Sequence, residues 1–387
     1  MCIYNVFKIL PKFLKHKLLQ RTGSCTFQTN LFHSIQSSTM KAVSIKEHGP
    51  PSVLKVNQVA IPVPVNTEVL VKVYAAGINP VDVYIREGAF LNLPPLPRIL
   101  GKEVAGIVET AGPKVQKFKV GDRVTCCLPL DGGYAEYVTC DESKVLPLSE
   151  TLSFSQGASL YVAYFVAYRA LVTKCNVQKG ELLLVHGASG AVGVAATQIA
   201  KARGLKVVGT ASTEAGLETA KIAGADFVFN HSEEGYLADA YSITGNKGFD
   251  AIVENSADSN LGSDFLMLAQ GGRIAIIGTK SPLKPPPHNP KLVEVNPRSL
   301  MYTEGRVYGV KLLGVTENEF KVCSNAIIDG IEEGWLRPVI AQEYKLSQAP
   351  EAHKRIMSEG AREPQRLVEE AVRTSFLVSV QTRTKHC

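Results

Sequence analysis

The sequence predicts an α/β protein in which a β-rich segment precedes a doubly wound parallel sheet. Three observations predict this fold class: short apolar strands punctuated by Gly and Pro, a later alternation of strand and helix patterns, and a glycine-rich turn between the first of those later strands and its helix. The chain has 387 residues, of which 45% are hydrophobic and 20% are charged. That length allows two or three domains, and the composition excludes wholesale disorder.

The β-rich segment runs from Lys41 to about residue 150, with clear strand patterns at residues 70–74 and 104–108. Short strands at such spacing predict a barrel-like antiparallel domain. A helix over about residues 155–172 follows. Its aromatic residues are three and four positions apart, so we interpret it as a buried helix that joins two domains rather than as a ligand-stacking surface. These aromatic residues are Tyr161, Tyr164, Phe165 and Tyr168.

Strand and helix patterns then alternate, which predicts a parallel sheet covered by helices. The predicted strands are 182–186, 206–210, 226–230, 250–254 and 273–278, and the predicted helices are 192–203, 214–223, 236–242 and 261–269. Residues 281–290 contain five prolines and predict an exposed loop insertion. Further helical and strand segments are expected from Glu317 to about Arg355.

A glycine-rich turn follows the first strand of the alternating region. Its glycines, Gly187, Gly190 and Gly193, have the spacing G-x-x-G-x-x-G, a variant of the dinucleotide-binding fingerprint. In such a turn the first glycine permits a tight bend, the second lets the backbone approach a pyrophosphate, and the third allows close helix–sheet contact. Backbone N–H groups at the start of the helix then point at the anion. We therefore predict dinucleotide binding; the alternative is a tight turn without a ligand.

The excess positive charge lies in the N-terminal segment of the chain. Residues 1–39 contain five basic residues and no acidic one, so the formal charge of +6 falls to +1 for the remainder (6 − 5). Basic residues among apolar ones, followed by hydroxyl residues, are typical of a mitochondrial transit peptide, although Pro11 disfavours a helix there. We expect a mitochondrial protein if this leader is translated and acts as a transit peptide, and a cytoplasmic one if the chain starts at Met40. A disordered extension is the other interpretation.

Composition also excludes several classes of protein. A remainder so close to neutral offers no electrostatic footprint for nucleic acid. Eight cysteines in 387 residues are too few for a disulfide scaffold. No apolar run reaches the ~18 residues of a membrane span, so we expect none.

Several segments together carry a resemblance to a known family. They are Gly77-Ile78-Asn79-Pro80-Val81-Asp82-Val83-Tyr84-Ile85-Arg86-Glu87-Gly88, Gly121-Asp122-Arg123-Val124, Gly132-Gly133-Tyr134-Ala135-Glu136-Tyr137, Val185-His186-Gly187-Ala188-Ser189-Gly190, Phe229-Asn230-His231 and Asn296-Pro297-Arg298. In this order the chain resembles the medium-chain dehydrogenase/reductase superfamily, and most of all its quinone oxidoreductase branch of zeta-crystallin-like proteins. The resemblance covers about residues 40–356. It implies a GroES-like catalytic domain with an inserted Rossmann domain, NADPH, a quinone substrate and a homotetramer or homodimer.

The resemblance also implies roles for individual residues. Asn79 and Tyr84 would be the catalytic pair, lining the nicotinamide and the substrate. Ser189, Gly190, Ala191 and Val192, between Gly187 and Gly193, would take the pyrophosphate, and Ser212 and His231 would lie towards the adenosine ribose and its phosphate. The remaining cofactor residues would be Asn260, Ile277, Gly278, Thr279, Lys280, Val310, Lys311 and Leu312.

The implied domain organisation is a leader at 1–39, the first part of the catalytic domain at 40–165, the Rossmann domain at 166–312 and a return to the catalytic domain at 313–387. Two segments depart from the family pattern. The proline-rich insert between Lys280 and Asn296 has no counterpart in it. After Ser358 the family has a Gly-Lys pair before a closing strand, whereas this chain has Glu363-Pro364-Gln365-Arg366 before Leu367.

The zinc alcohol dehydrogenases of this superfamily need three protein ligands, commonly Cys, His and Cys or Asp. Neither Cys nor His follows Gly77, and Lys102-Glu103 stands where those enzymes have a His-Glu pair. The body cysteines have no C-x-x-C spacing for a structural zinc, and we expect reduced thiols. They are Cys126, Cys127, Cys140, Cys175 and Cys323. We therefore expect a zinc-independent enzyme.

No Ser/His/Asp constellation or carboxylate pair stands out by spacing, which suits an enzyme whose nicotinamide carries the redox chemistry. Tyr84 is the best polar candidate to bind a substrate oxygen; the alternative is a half-buried packing tyrosine. We expect NADPH-dependent reduction of quinones. The alternative function is an NADPH-dependent alkenal/enone double-bond reductase, and an RNA-binding or crystallin-like structural role is a minor alternative.

The second strand of the alternating region indicates the cofactor. NAD-binding domains place Asp or Glu at the end of this strand to hold the ribose 2′-hydroxyl. Here the strand ends in Ala211-Ser212-Thr213, and a small hydroxyl leaves room for a 2′-phosphate that a carboxylate would repel. Glu214 comes two residues later and is expected to begin the next helix. We predict NADPH over NADH, with His231 or a nearby lysine as the positive partner.

Overall fold

The computed structural model describes residues 38–89, 93–279 and 292–358, together with the backbone of residues 365–368. The leader up to residue 37, Lys280, the 281–290 insert and the rest of the tail lie outside the described residues. The predictions made for them stay predictions, as do the domain boundaries 40–165, 166–312 and 313–387. Among the described residues, no helix combines the length and apolar character that crossing a bilayer requires.

The β-rich part forms two sheets. A seven-stranded sheet has the order β15-β16-β3-β5-β6-β8 with β7 also paired to β3, and a three-stranded sheet has the order β2-β1-β4. All pairs in these sheets are antiparallel except β15 with β16. The strands are β1 Thr39–Ile45, β2 Lys55–Ala60, β3 Glu68–Ile78, β4 Arg98–Ile99, β5 Glu103–Ala111, β6 Arg123–Cys127, β7 Tyr137–Asp141, β8 Val145–Pro147, β15 Gln342–Lys345 and β16 Gln365–Val368.

β16 closes the seven-stranded sheet: it pairs antiparallel with β3, with Leu367 opposite Ala76. The closing strand that the resemblance implies is therefore present, although the sequence before it departs from the family pattern.

The alternating region forms one six-stranded, fully parallel sheet in the order β11-β10-β9-β12-β13-β14. The order reverses at β9, because β10 lies on one side of it and β12 on the other. Such a switch point opens a crevice at the carboxyl ends of the strands. The predicted doubly wound sheet is confirmed. Its strands are β9 Leu182–Val185, β10 Lys206–Ala211, β11 Phe227–Asn230, β12 Phe249–Glu254, β13 Leu268–Ile276 and β14 Arg306–Gly309.

Ten α-helices are described. They are α1 Pro80–Arg86, α2 Phe154–Gly157, α3 Tyr161–Tyr168, α4 Ala191–Ala202, α5 Glu214–Ile222, α6 Tyr236–Ser242, α7 Ala257–Leu266, α8 Pro297–Thr303, α9 Glu317–Glu332 and α10 Ala349–Ile356.

The predicted helical stretch over 155–172 is present but interrupted, since the chain forms α2 and α3 and then a π-helical segment, Arg169–Lys174. The break follows Gly157, where the Ser159 hydroxyl donates to the Gln156 carbonyl at 2.6 Å and competes with helical hydrogen bonding. The predicted burial of the aromatics holds for three of the four, with Tyr168 half-buried. Tyr161 and Phe165 stack edge to face, 4.9 Å apart, in the core that joins the two domains.

The predicted helix over 261–269 and strand over 273–278 are also displaced. α7 begins at Ala257, and β13 begins at Leu268, where a helix was expected. The strand passes through Gly271, which has a positive φ of 71°, and the β12–β13 register shifts between Phe249 and Ala251. A glycine irregularity inside a strand is indistinguishable from a loop in a sequence pattern, which explains the error.

Candidate functional site

The glycine loop lies between β9 and α4, at the switch point of the parallel sheet. Gly187 has a φ of +64°, a left-handed conformation that favours glycine. A Cβ at Gly193 would lie 2.2 Å from the carbonyl oxygen of Gly187, so the helix passes too close for any side chain there. The Ala188 N–H donates to the Thr210 carbonyl at 2.7 Å and ties the loop to β10. The predicted strand, turn and helix are therefore present.

The N-terminus of α4 follows the glycine loop. Ser189, Gly190, Ala191 and Val192 are all partly exposed there, and Gly190 is the N-cap of the helix. The first-turn N–H groups of a helix lack intrahelical partners, and no acidic residue stands in the first turn of α4. This arrangement is compatible with a phosphate group, and the pyrophosphate role of these residues stays a prediction.

Ser212 and His231 meet at the ends of adjacent strands. Ser212 follows β10 and His231 follows β11, and the His231 N–H donates to the Ala211 carbonyl at 2.9 Å. Thr213 caps α5 by accepting from the Gly216 N–H. Glu214 is exposed in the first turn of that helix, as expected. The Ser212 hydroxyl and the His231 imidazole therefore lie near the end of β10, whereas the Glu214 carboxylate lies on α5.

Tyr84 forms a hydrogen bond between the β-rich part and the stretch that follows β13 of the parallel sheet. Its hydroxyl on α1 donates to the Thr279 carbonyl at 3.1 Å, in the stretch that follows β13. A Cβ at Gly278 would lie 2.6 Å from the Asn255 carbonyl oxygen, so this stretch packs closely on the end of β12. The Val310 N–H donates to the Ile276 carbonyl at 2.9 Å, which places residues 310–312 beside Ile277.

Other predicted site residues are less open to the crevice. Asn79 is only 4% exposed, and its amide donates to Glu103 at 3.0 Å. The Asn260 amide faces Glu254, with its nitrogen 3.4 Å from a carboxyl oxygen. Lys311 is exposed and Leu312 half-buried, next to the Val310 contact. The roles given to these residues stay predictions.

Sequence reasoning missed a buried network beneath α1. Asp82, fully buried, accepts hydrogen bonds from the N–H groups of Asn79 and Gly101 and from the Tyr134 hydroxyl. Burial raises the pKa of Asp82 to about 6, opposed by the nearby Lys102. The Tyr134 hydroxyl also lies 3.1 Å from the His353 imidazole. The available signal was the spacing of Asn79 and Asp82, because an acidic side chain three residues after an N-cap forms a capping box.

A second buried cluster was also missed. His186 and Glu254 follow the apolar residues of β9 and β12, and Asp264 projects from α7 towards them. Among the described residues, this is the only group of three possible metal-ligating side chains whose ligand atoms lie within 4.8 Å of one another. A titratable residue after each of two apolar strands was the signal that could have found it.

The residues at the positions where zinc alcohol dehydrogenases have their metal ligands do not form a zinc ligand set. The two carboxyl oxygens of Glu103 accept from the Asn79 amide and from the Val162 N–H. Burial lowers the pKa of the Lys102 amine, which has no place in a zinc ligand set. The five cysteines in the described part of the chain are buried and free.

Comparison with known proteins identifies the family. The alcohol dehydrogenase GroES-like domain matches residues 65–150, and the zinc-binding dehydrogenase domain matches residues 191–327. A quinone oxidoreductase of Mus musculus is 44% identical over 321 residues, covering 82% of this chain and 94% of that protein.

Solved structures agree. A quinone oxidoreductase of Escherichia coli complexed with NADPH has a TM-score of 0.74 and 30% identity, covering 85% of this chain and 99% of that one. An NAD-dependent alcohol dehydrogenase has a TM-score of 0.77 and 29% identity, covering 85% and 99%. From the two matched domains, the identity to the mouse protein and these folds, the chain belongs to the quinone oxidoreductase branch of the medium-chain dehydrogenase/reductase superfamily.

Proposed function

We propose that this protein is an NADPH:quinone oxidoreductase. The observation that carries the proposal is the arrangement along the carboxyl edge of the parallel sheet, with the N-terminus of α4 at its middle, Ser212 and His231 on one side and Tyr84 on the other. The relative from mouse is a quinone oxidoreductase, and the E. coli structure holds NADPH.

Each part of the crevice fits one part of the cofactor. The start of α4, from Ser189 to Val192, would hold the pyrophosphate through backbone N–H groups. Residues 277–280 and 310–312 would flank the nicotinamide. When bound, the nicotinamide supplies the hydride. The fit of the loop to a pyrophosphate rests on Gly193, because a side chain there would collide with the backbone of the loop.

Tyr84 is the proposed catalytic group on the protein. Reduction of a quinone to a hydroquinone takes up one hydride and one proton, and negative charge develops on an oxygen before that proton arrives. A hydroxyl aimed at this oxygen stabilises the charge. The Tyr84 hydroxyl donates to the Thr279 carbonyl in the structure and would turn from it to the substrate oxygen. Asn79 would act beside it, held by Glu103.

Ser212 supports NADPH over NADH. A 2′-phosphate placed at the end of β10 would meet a hydroxyl and the neighbouring His231 imidazole, whereas an aspartate there would repel it. The test is kcat/KM for both donors, in the wild type and in Ser212→Asp, with Glu218→Gln on the exposed face of α5 as a charge control. Equal use of both donors by the wild type, or an unchanged preference in Ser212→Asp, would contradict the assignment.

The substrate class is tested with a panel of ortho- and para-quinones and α,β-unsaturated aldehydes and ketones. We expect turnover of the quinones. Turnover of the enones alone would instead establish a double-bond reductase on the same fold.

We further propose that the enzyme is a homo-oligomer built through the β14 edge of the parallel sheet. Among the described residues β14 pairs with β13 alone, and an unpaired strand edge favours pairing with another copy about a two-fold axis. The adjacent helix α8 buries none of its residues, and its Met301 and Tyr302 are 76% and 77% exposed. Apolar side chains this exposed beside a strand edge suit an interface.

A further inference from the structure

The His186–Glu254–Asp264 cluster is buried beneath the carboxyl edge of the parallel sheet. All three side chains are at most 3% exposed. The strands that carry His186 and Glu254 are paired, with Val185 opposite Val253, so the two residues emerge side by side at the switch point. Bringing two carboxylates and an imidazole together without water is costly unless protons or ions balance them.

Most polar atoms of the cluster that are described have a polar neighbour at or near hydrogen-bond distance. The His186 Nε2 lies 2.9 Å from Asp264 Oδ1 and 3.7 Å from Glu254 Oε2. The other oxygen of Glu254 accepts from the Ser256 N–H and faces the Asn260 amide. Two buried oxygens, Glu254 Oε2 and Asp264 Oδ2, have no hydrogen-bond partner among the described residues.

The carboxyl groups of Glu254 and Asp264 each have an oxygen within 4.8 Å of one on the other, and a single proton shared between two carboxylates satisfies an oxygen of each. Burial raises the pKa of both carboxyls, that of Glu254 to about 8, and it lowers the pKa of the His186 imidazole. Tyr236 on α6 also interacts electrostatically with the cluster. Its pKa is raised by burial and by the Asp264 and Glu254 carboxyls. The imidazole is then neutral and donates from Nε2 to Asp264, which leaves the proton for the carboxyl pair.

We propose that Glu254 carries a proton at neutral pH and donates it to Asp264, and that this shared proton positions the end of β12 against the cofactor crevice. Glu254 contacts the crevice through its backbone, because its carbonyl accepts from the Ile277 N–H at 2.9 Å. The next residue, Asn255, donates its amide to the His186 carbonyl at 2.6 Å, beside the glycine loop. These are positioning residues, and their effect on the cofactor rests on the proposed function.

Loss of the shared proton leaves two buried carboxylates close together. Because the pKa of Glu254 is raised in the fold, the unfolded chain releases this proton first, and stability falls as pH rises towards the folded value. Other groups also change the stability between pH 6.5 and pH 8: the pKa of Asp264 is raised to about 7, and the lowered pKa values of His186 and His353 act in the opposite direction. The contribution of Glu254 is therefore the difference between the wild type and a variant that cannot ionise at this position.

The first experiment is chemical denaturation of the cofactor-free protein across this window. For one proton, Glu254 should contribute a roughly tenfold rise in the unfolding equilibrium constant of the wild type from pH 6.5 to pH 8. Glu254→Gln keeps a donor to Asp264 but cannot ionise, so its profile should lack this tenfold contribution. Asp264→Asn leaves Glu254 buried and should keep the contribution of Glu254, and Glu218→Gln, at an exposed carboxyl, should retain the wild-type slope.

A wild-type slope in Glu254→Gln would overturn the proposal. If this variant does not fold, infrared difference spectra of the wild type decide it: a protonated carboxyl band should disappear between pH 6.5 and pH 8.5, and its absence at pH 6.5 contradicts the proposal. The competing interpretation is a Zn²⁺ ion in the cluster, and zinc chloride tests it. If zinc chloride raised the melting temperature of the wild type but not that of Glu254→Gln, the cluster would bind a metal ion instead of the shared proton.

The second experiment measures NADPH affinity by nicotinamide fluorescence over the same window. Affinity should weaken several-fold for the wild type between pH 6.5 and pH 8 and stay level for Glu254→Gln. Parallel pH profiles in the two proteins would refute the positioning role. If no NADPH binds at any pH, the proposed function fails, whereas the denaturation experiment still decides where the proton resides.

Discussion

Gly193→Ala should disable the glycine loop. The new Cβ would lie 2.2 Å from the Gly187 carbonyl oxygen and 2.7 Å from the Ala188 Cα. Both are backbone atoms, so no side-chain rotation relieves the contact, and the loop or α4 must shift by roughly 1 Å. Overpacking of this kind costs about 1–3 kcal/mol of stability. A displacement of about 1 Å in a binding group can cost about a hundredfold in function.

The assay is NADPH affinity by nicotinamide fluorescence, together with the melting temperature. We expect at least a tenfold weaker Kd for Gly193→Ala. The matched control is Val124→Ala, which removes buried apolar volume from β6 in the other domain and destabilises by a similar amount without touching the loop. Wild-type affinity in Gly193→Ala, or equal weakening in Val124→Ala, would refute the reasoning.

Three further predictions follow from the site and the surface. Tyr84→Phe should lower kcat/KM for quinones about three- to tenfold, the worth of one hydrogen bond, with the NADPH Kd nearly unchanged; unchanged kcat/KM would make Tyr84 a packing residue. Metal analysis should find far less than one zinc per chain, and a chelator should leave activity intact; one zinc per chain with activity lost to the chelator would contradict the expectation of zinc independence. Tyr302→Glu should shift the mass measured by light scattering towards the monomer, whereas an unchanged mass would place the interface away from α8.

The local parts of the site could be predicted because their chemistry is contiguous in the chain. Gly187 follows β9 and Gly193 stands in the first turn of α4, so the spacing of the turn alone predicts the close backbone contact between them. Ser212 follows from the length of one βα unit, and the structure does place it at the end of β10. What was missed depends on register: His186 and Glu254 are 68 residues apart and meet only because β9 pairs with β12.

Side-chain direction was the other limit. The motif around Asn79 marks the right helix, but no spacing shows that its amide turns inward to Glu103. The break between α2 and α3 has the same origin, because the Ser159 hydroxyl can serve a helix or interrupt it, and packing decides.

The most direct test of the account is the steady-state rate of quinone reduction by the wild-type enzyme with each nicotinamide donor. The open helix start at Gly190 and the hydroxyl of Ser212 predict quinone turnover with a clearly higher kcat/KM for NADPH than for NADH. No turnover of any quinone, or a preference for NADH, would contradict the central claim.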